Sequence, residues 1–236
     1  MLTHYTRDPE TVRQILTHGF MWFPNRRRLT ELLMPGHDYS RREPQQYGMV
    51  SFTEIEPREA AAHRESFGHY GIVVSSEWAA RQRAQRVIYV DEAGPLTEAL
   101  QTLFRIGYHD VTARIRYPDD GVWLMAYENK AAASAIAGSR AWASLLQLWE
   151  YLEPASCAAQ REWRIVNPEP FYSLSENKKV AIARVSPPHN WAKFSNLVPI
   201  KPEDVMALVC RPVDRSALEQ NTPEPFRNVP VWFTGG

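Results

Sequence analysis

The first third of the chain alternates short β-rich segments with helical ones. Leu2 to Thr6 reads as a strand. Asp8 and Pro9 supply a capping residue and a first helical residue, apolar side chains recur at helical spacing after them, and Gly19 provides the stop. The pattern therefore predicts a helix over residues 9–18.

The next two strands flank a helical run. Met49–Thr53 and Tyr70–Val74 are rich in β-branched and aromatic residues, and a run through 59–63 is alanine-rich. The polar, arginine-rich stretch 22–47 contains three prolines and is predicted to be a long loop.

Further along, the apolar spacing favours helices again. Ser75 or Ser76 can cap a helix over 78–84, and 86–91 returns to strand-like usage. Leu96, Leu100, Leu103 and Phe104 share one helical face, as do the large apolar residues of an alanine-rich window at 131–152.

The last third is β-rich and predicts a mixed architecture. Strand-like segments occur at Glu162–Val166, Val180–Val185, Val205–Cys210 and Val229–Phe233, with prolines between them. Regular strand–helix–strand alternation is absent. We expect an α+β fold, with a mixed and largely antiparallel sheet, flanking helices and a single domain over residues 1–236, because no linker or repeat divides the chain.

Composition narrows the functional classes. The 27 basic and 27 acidic residues cancel, so overall charge gives no argument for nucleic-acid binding, although a local basic patch stays open. No apolar run is long enough to span a membrane and no signal-peptide core is present, which predicts a cytoplasmic protein. Cys157 and Cys210 lie far apart and form no metal-binding motif.

Four short motifs could carry chemistry. Strand alternation places His4 and Thr6 on one face of the first strand, and Ser51 and Thr53 on one face of the next. A histidine and a hydroxyl on one strand face can bind a ribose or a phosphate. Two adjacent hydroxyls could orient a catalytic carboxylate. They are also ordinary residues for strand edges and half-exposed strands.

The other two motifs lie further along the chain. Tyr70 follows a glycine-flanked turn and would stack on a planar ligand or simply cover the core. In a strand, Gln160, Glu162 and Arg164 would line one face, with a carboxylate suited to a ribose hydroxyl or an oxocarbenium-like centre. The competing interpretation is a solvated ladder of ion pairs.

The order of these motifs resembles a known family. HYT and HGF, then MVSFTEI, then FGHYGIVVSSEWA with VIYV, and finally QREWRIV resemble the abortive-infection AbiGi family of phage-resistance proteins over roughly residues 3–166. The resemblance implies a role in phage defence, in a system of the toxin–antitoxin type, where this family is the antitoxin member.

A more distant resemblance supplies chemistry. ADP-ribosyltransferases carry a His or Arg on the first core strand, a hydroxyl or aromatic motif on the next, and a Gln/Glu-x-Glu motif on a later one. The resemblance implies NAD as substrate, with Glu162 binding the nicotinamide ribose and Gln160 orienting the acceptor. It also implies an NAD-binding set consisting of His4, Thr6, Ser51, Thr53, Tyr70 and Arg164.

Two alternatives stay open at this stage. A non-catalytic antitoxin-type protein would neutralise a partner toxin by contact, using an exposed apolar surface to which Trp22, Trp191 or Trp232 would belong. A DNA-binding repressor has less support because no basic recognition helix is evident. Convergence of His4, Tyr70 and Glu162 in one cleft would favour the enzyme, and their separation would favour the binding protein.

Overall fold

The computed structural model describes residues 1–24, 48–103, 140–167 and 197–234. Its helices are α1 (Pro9–His18), α2 (Ala61–Phe67), α3 (Ser76–Arg81), α4 (Arg140–Trp149) and α5 (Arg215–Asn221), and residues 95–103 are also helical. The strands are β1 (Leu2–Thr6), β2 (Phe23–Pro24), β3 (Gly48–Thr53), β4 (Tyr70–Val74), β5 (Gln85–Arg86), β6 (Ile88–Val90), β7 (Leu152–Pro154), β8 (Glu162–Val166), β9 (Val205–Cys210) and β10 (Val231–Phe233).

One mixed sheet organises the described residues. Its strand order is β10-β9-β4-β1-β3-β8-β5, with β2 paired to β3. Every pairing recorded in this sheet is antiparallel except that of β9 with β10. β6 and β7 form a separate parallel pair. The architecture is therefore α+β, as predicted.

Helix α1 forms where its local signals place it. The Asp8 carboxylate accepts a hydrogen bond from the Thr11 N–H at 2.8 Å, which satisfies one of the free amides of the first turn. Gly19 ends the helix with φ of 102°, and a Cβ there would lie 2.4 Å from the Val198 carbonyl oxygen. Only glycine fits this position without strain.

The α1 face of the sheet, which carries His4, Phe52 and Ile72, holds most of the apolar core. Phe52 packs edge-on against Phe20 and Trp78, with ring centroids 5.3 and 5.7 Å apart. The Trp78 indole N–H donates to the Pro199 carbonyl at 3.0 Å. This aromatic group joins β3, α3 and the segment 197–200 to one core.

The α2 face, which carries Tyr5, Thr53 and Val73, is smaller and more polar. Tyr5 lies beside Gly71, where a Cβ would come within 3.2 Å of the Tyr5 ring. The Tyr5 hydroxyl is buried beside the Arg64 guanidinium, and its burial outweighs this cation and raises the pKa of Tyr5 to about 12. Helix α2 covers this region through His63, whose ring lies 6.0 Å from that of Tyr5.

The predicted elements agree with the structure where the local pattern is strong. The predicted bounds match those observed for β1, α1, β4, β8 and β9. Strand β3 begins at Gly48, one residue before its predicted start. The predicted helix at 59–63 lies instead at Ala61–Phe67, and the one at 78–84 lies at Ser76–Arg81, capped by the Ser75 hydroxyl.

One strand prediction was wrong, and one loop prediction was wrong at its start. The segment 86–91 is not one strand, because β5 pairs with β8 in the main sheet whereas β6 pairs with β7. The break falls at Val87, whose N–H donates to the Glu162 carbonyl while the next amide donates to Tyr151. The predicted loop 22–47 begins with strand β2, and the rest of it lies outside the described residues.

Other predictions are covered only in part. The strand at 180–185, Phe104 and residues 131–139 of the predicted long helix lie outside the described residues. Both cysteines are free thiols, and burial raises the pKa of Cys210 to about 11. Among the described residues, none of the helices has the length and apolar character needed to cross a bilayer.

Truncation of Phe52 tests the aromatic core. We expect Phe52→Ala to lower the free energy of unfolding by about 3–5 kcal/mol, because the ring is 2 % exposed and its removal leaves a cavity between three elements. Urea denaturation followed by circular dichroism measures this. A loss below about 1 kcal/mol would show that the ring is not packed as described.

Candidate functional site

The three strands that carry the motifs are adjacent. β1 pairs with β3 and β3 pairs with β8, so Thr53 lies directly opposite both Thr3 and Glu162. Residues paired in this way share a face. Polar side chains therefore form a row across three strands on the α2 face, and Ser51 and Arg164 form a second pair beside it.

The Arg164 guanidinium is the centre of this polar region. Its Nε and Nη2 donate to the two Glu162 oxygens at 2.8 and 3.0 Å. Nη2 also donates to a Glu153 carboxylate oxygen, and Nη1 donates to the Glu150 carbonyl. The Arg164 side chain thus links β8 to β7 and to Glu150, the residue that follows α4. We call Arg164, Glu162 and Glu153 the Arg164 cluster.

The cluster is buried, but unevenly. The side chains of Arg164 and Glu153 are 2 % and 0 % exposed, whereas that of Glu162 is 10 % exposed. Burial lowers the pKa of Arg164, and the Glu162 and Glu153 carboxylates outweigh it and hold the pKa above its ordinary value. The cluster therefore contains a permanent cation, and Glu162 is its less deeply buried carboxylate.

The two hydroxyls predicted on β3 differ in what they bond. Thr53 is buried, and its Oγ1 donates to the Gln160 carbonyl at 2.8 Å and accepts from the Ile55 N–H at 3.1 Å. Its hydroxyl therefore closes the loop before β8. Ser51 is partly buried, and no hydrogen bond of its hydroxyl is recorded among the described residues.

Gln160 does not share a strand with Glu162, which corrects the predicted three-residue face. It ends a 3₁₀ turn at Ala155–Gln160, and Arg161 then adopts a left-handed conformation with φ of 46°. The period-two alternation therefore starts only at Glu162. Glu162 and Arg164 do share a face, as predicted.

His4 and Thr6 lie on the opposite face of the sheet from Glu162. The His4 ring packs edge-on against Phe20 and Phe52 at 5.2 and 5.7 Å. Its Nδ1 lies 2.8 Å from the Ser51 carbonyl oxygen, which only accepts, so Nδ1 carries the proton and Nε2 is an acceptor. Burial lowers the pKa of His4, so the ring is neutral at pH 7.

Tyr70 lies on the same face as His4 and Thr6. It pairs with Thr6 across β1 and β4, is 8 % exposed and belongs to the main core. Burial raises the pKa of its hydroxyl, and the nearby Asp214 carboxylate adds to this. The structure thus brings Ser51, Thr53, Glu162 and Arg164 together on one face and His4, Thr6 and Tyr70 on the other.

Sequence reasoning missed three groups at this site. Glu153 lies in β7, and the Tyr89 hydroxyl on β6 accepts from the Glu162 N–H at 2.7 Å. His63 on α2 is close enough to Glu162 for the carboxylate to raise its pKa in part, although burial lowers it overall. No sequence signal identifies Glu153, because only its pairing with Arg164 in three dimensions makes it a buried charge.

Neither a metal site nor a related protein points to the chemistry. Within the described ranges, no three His, Cys, Asp or Glu side chains are grouped to hold a metal ion. Comparison with family models, with curated proteins and with solved structures finds no match to this chain.

Removal of Arg164 tests the cluster. We expect Arg164→Met to lower the free energy of unfolding by about 3–5 kcal/mol, because it leaves Glu153 buried without this cation. Arg13→Met is the control, since Arg13 forms an exposed pair with Glu10 and its loss should cost at most about 1 kcal/mol. Equal losses in urea denaturation would contradict the buried network.

His4 gives the fold a pH dependence. Its pKa is lowered in the folded state from an ordinary value of 6.5, so the unfolded chain binds the proton first. Stability is therefore fully present above pH 6.5 and declines as the pH falls below it, by up to about 1.4 kcal/mol per pH unit for this proton. His63 acts in the same direction.

The free energy of unfolding, measured between about pH 8 and about pH 5, shows the contribution of His4. We expect His4→Asn to give a shallower decline than the wild type. Identical slopes for His4→Asn and the wild type would rule out His4 as the source.

Proposed function

We propose that this protein acts in phage defence as an NAD-dependent ADP-ribosyltransferase in which Glu162 is the catalytic carboxylate. The proposal rests on one observation. Of the two carboxylates that bind the buried Arg164, Glu162 is the less deeply buried, with its side chain 10 % exposed against 0 % for Glu153, and it lies opposite Thr53 and diagonal to Ser51. A carboxylate beside strand hydroxyls is part of the set that the resemblance to ADP-ribosyltransferases implies, and this part supports the proposal.

The surroundings of Glu162 suit it to a developing positive charge. Arg164 fixes both carboxylate oxygens through two hydrogen bonds, and the Tyr89 hydroxyl fixes the backbone amide. A carboxylate held in this way needs little reorganisation to accept a hydrogen bond from a ribose hydroxyl. Arg164, being 2 % exposed, acts here as a positioning residue and does not contact NAD.

The proposed reaction is a displacement at the nicotinamide ribose. The bond from ribose C1′ to the nicotinamide nitrogen breaks with its electron pair on nicotinamide, and the nucleophilic atom of the acceptor bonds to C1′ and loses its proton. Glu162 would stabilise the positive charge on the ribose ring during this step. Ser51, whose hydroxyl lies on the same face, is the neighbouring group available to bind NAD.

His4, Thr6 and Tyr70 have a different place in this proposal. They lie across the sheet from Glu162, so they would not contact the same nicotinamide ribose. We assign them to the core and to the attachment of β1, where His4 bonds the Ser51 carbonyl. The acceptor-binding role implied for Gln160 would fall to its 3₁₀ turn, which Arg161 alone separates from Glu162.

The substitution Glu162→Gln tests the proposal. It keeps the size of the side chain and removes the charge, so we expect NAD consumption by the purified protein to fall by about 100-fold or more. The measurement is nicotinamide release with candidate protein and nucleic-acid acceptors, together with calorimetric binding of NAD.

Glu153→Gln is the matched control. It removes the other carboxylate from the same guanidinium but is 0 % exposed, so it should cost comparable stability and reduce turnover by less than about tenfold. Equal losses of turnover in the two variants, after correction for the folded fraction, would assign Glu162 to structure only.

A non-catalytic antitoxin-type protein is the second candidate. The observation that favours it is the separation of His4 and Tyr70 from Glu162 by the sheet. Such a protein would bind its toxin by contact and would not need NAD. Absence of NAD binding and of nicotinamide release in the wild type would favour this candidate and contradict the enzyme.

A further inference from the structure

The Glu54 carboxylate, just after β3, binds three donors at the exposed end of β8. Its Oε2 accepts from Arg86 Nη2 at 2.5 Å and from the Trp163 indole N–H at 2.8 Å. Its Oε1 accepts from Arg161 Nε at 3.0 Å. Burial raises the pKa of Glu54, but these three hydrogen bonds outweigh it and hold the pKa below its ordinary value. Glu54 is therefore ionised and already well bonded.

The two arginines are anchored but still exposed. Their side chains are 62 % and 54 % exposed for Arg86 and Arg161, while Glu54 is 17 % exposed. Arg86 also lies over the Trp163 ring at 5.5 Å from its centroid. The backbone of Arg161 is fixed by the bond from the Glu54 N–H to its carbonyl.

Each guanidinium has donors left over. Within the described part of the chain, Arg86 donates to Glu54 through Nη2 and Arg161 donates to it through Nε. The other N–H groups of each guanidinium have no acceptor among these residues. Two guanidinium cations against one carboxylate leave a net charge of about +1 at this point. The donors are held in place before any ligand arrives, which reduces the entropy lost on binding.

We propose that Arg86 and Arg161, held together by Glu54, form a binding site for a phosphate group. Guanidinium groups match the geometry of phosphate oxygens, and paired donors make charge-assisted hydrogen bonds to them. The source of the phosphate is either the diphosphate of a dinucleotide or the backbone of a nucleic acid. Both offer the same oxygens to the same donors.

The site does not depend on the proposed enzymatic activity. Arg161 adjoins Glu162 in the chain, but Trp163 and Arg86 pair with each other on the α1 face, whereas Glu162 lies on the α2 face. A phosphate site here would persist if Glu162 had no catalytic role. A probe without a nicotinamide ribose therefore separates the two proposals.

Calorimetric titration with inorganic pyrophosphate at low salt tests the site. We expect saturable binding by the wild type and affinity lower by about tenfold or more in Arg86→Gln/Arg161→Gln, which loses two charge-assisted donors. Arg13→Gln, which removes an exposed, ion-paired arginine from α1, should bind as the wild type does. The single variant Arg86→Gln, which leaves the Arg161–Glu54 pair in place, serves if the double variant does not fold.

Competition then distinguishes the sources of phosphate. Displacement of pyrophosphate by NAD indicates a dinucleotide, and displacement by a single-stranded oligonucleotide indicates a nucleic acid. No binding of pyrophosphate by the wild type, or equal binding by the folded Arg86→Gln/Arg161→Gln and the wild type, would overturn the proposal.

Discussion

The described structure depends most on the burial of one positive charge. A guanidinium taken out of water needs acceptors on every side, and Arg164 finds them on its own strand, on β7 and at Glu150. The small β6–β7 pair and the end of α4 are therefore fixed to the main sheet by polar contacts. The same requirement fixes the position of Glu162, so the stability of this region and the geometry of its candidate catalytic carboxylate have a common origin.

A second constraint is the period of two along β1. Because neighbouring side chains point to opposite faces, His4 and Tyr5 belong to different layers of the molecule. His4 joins the aromatic core, whereas Tyr5 lies under α2 near His63. The motif residues of this sheet thus divide into an apolar layer, where a neutral histidine stabilises the packing, and a polar layer built around charges.

Much of the fold could be predicted from local signals. The bounds of α1 follow from Asp8, Pro9 and Gly19, and buried strands such as β4 and β9 are continuous apolar runs between turn residues. Prediction failed where a tertiary contact decides the backbone. Residues 85–90 divide because two different sheets supply their partners, and Gln160 leaves the strand because the Thr53 hydroxyl holds its carbonyl in a turn.

The candidate site was predictable only by residue type. Glu162 and Arg164 could be placed on one face from their spacing. Their burial also depends on Glu153, which lies on a different strand that was not predicted. The separation of His4 from Glu162 also follows from alternation and register together, and register could not be obtained from one sequence. Tertiary pairing, more than composition, decides which polar residues meet.

The two ends of the main sheet bear on the solubility of the protein. Within the described residues, the sheet ends at β5 and β10, which have two and three residues. Arg86 lies on the first of these strands, and Arg215 lies over the Phe233 ring of the second. Short outer strands with charged side chains give few free backbone groups to a strand from another copy. In the described part of the sheet, these two outer strands therefore offer little to edge-to-edge pairing.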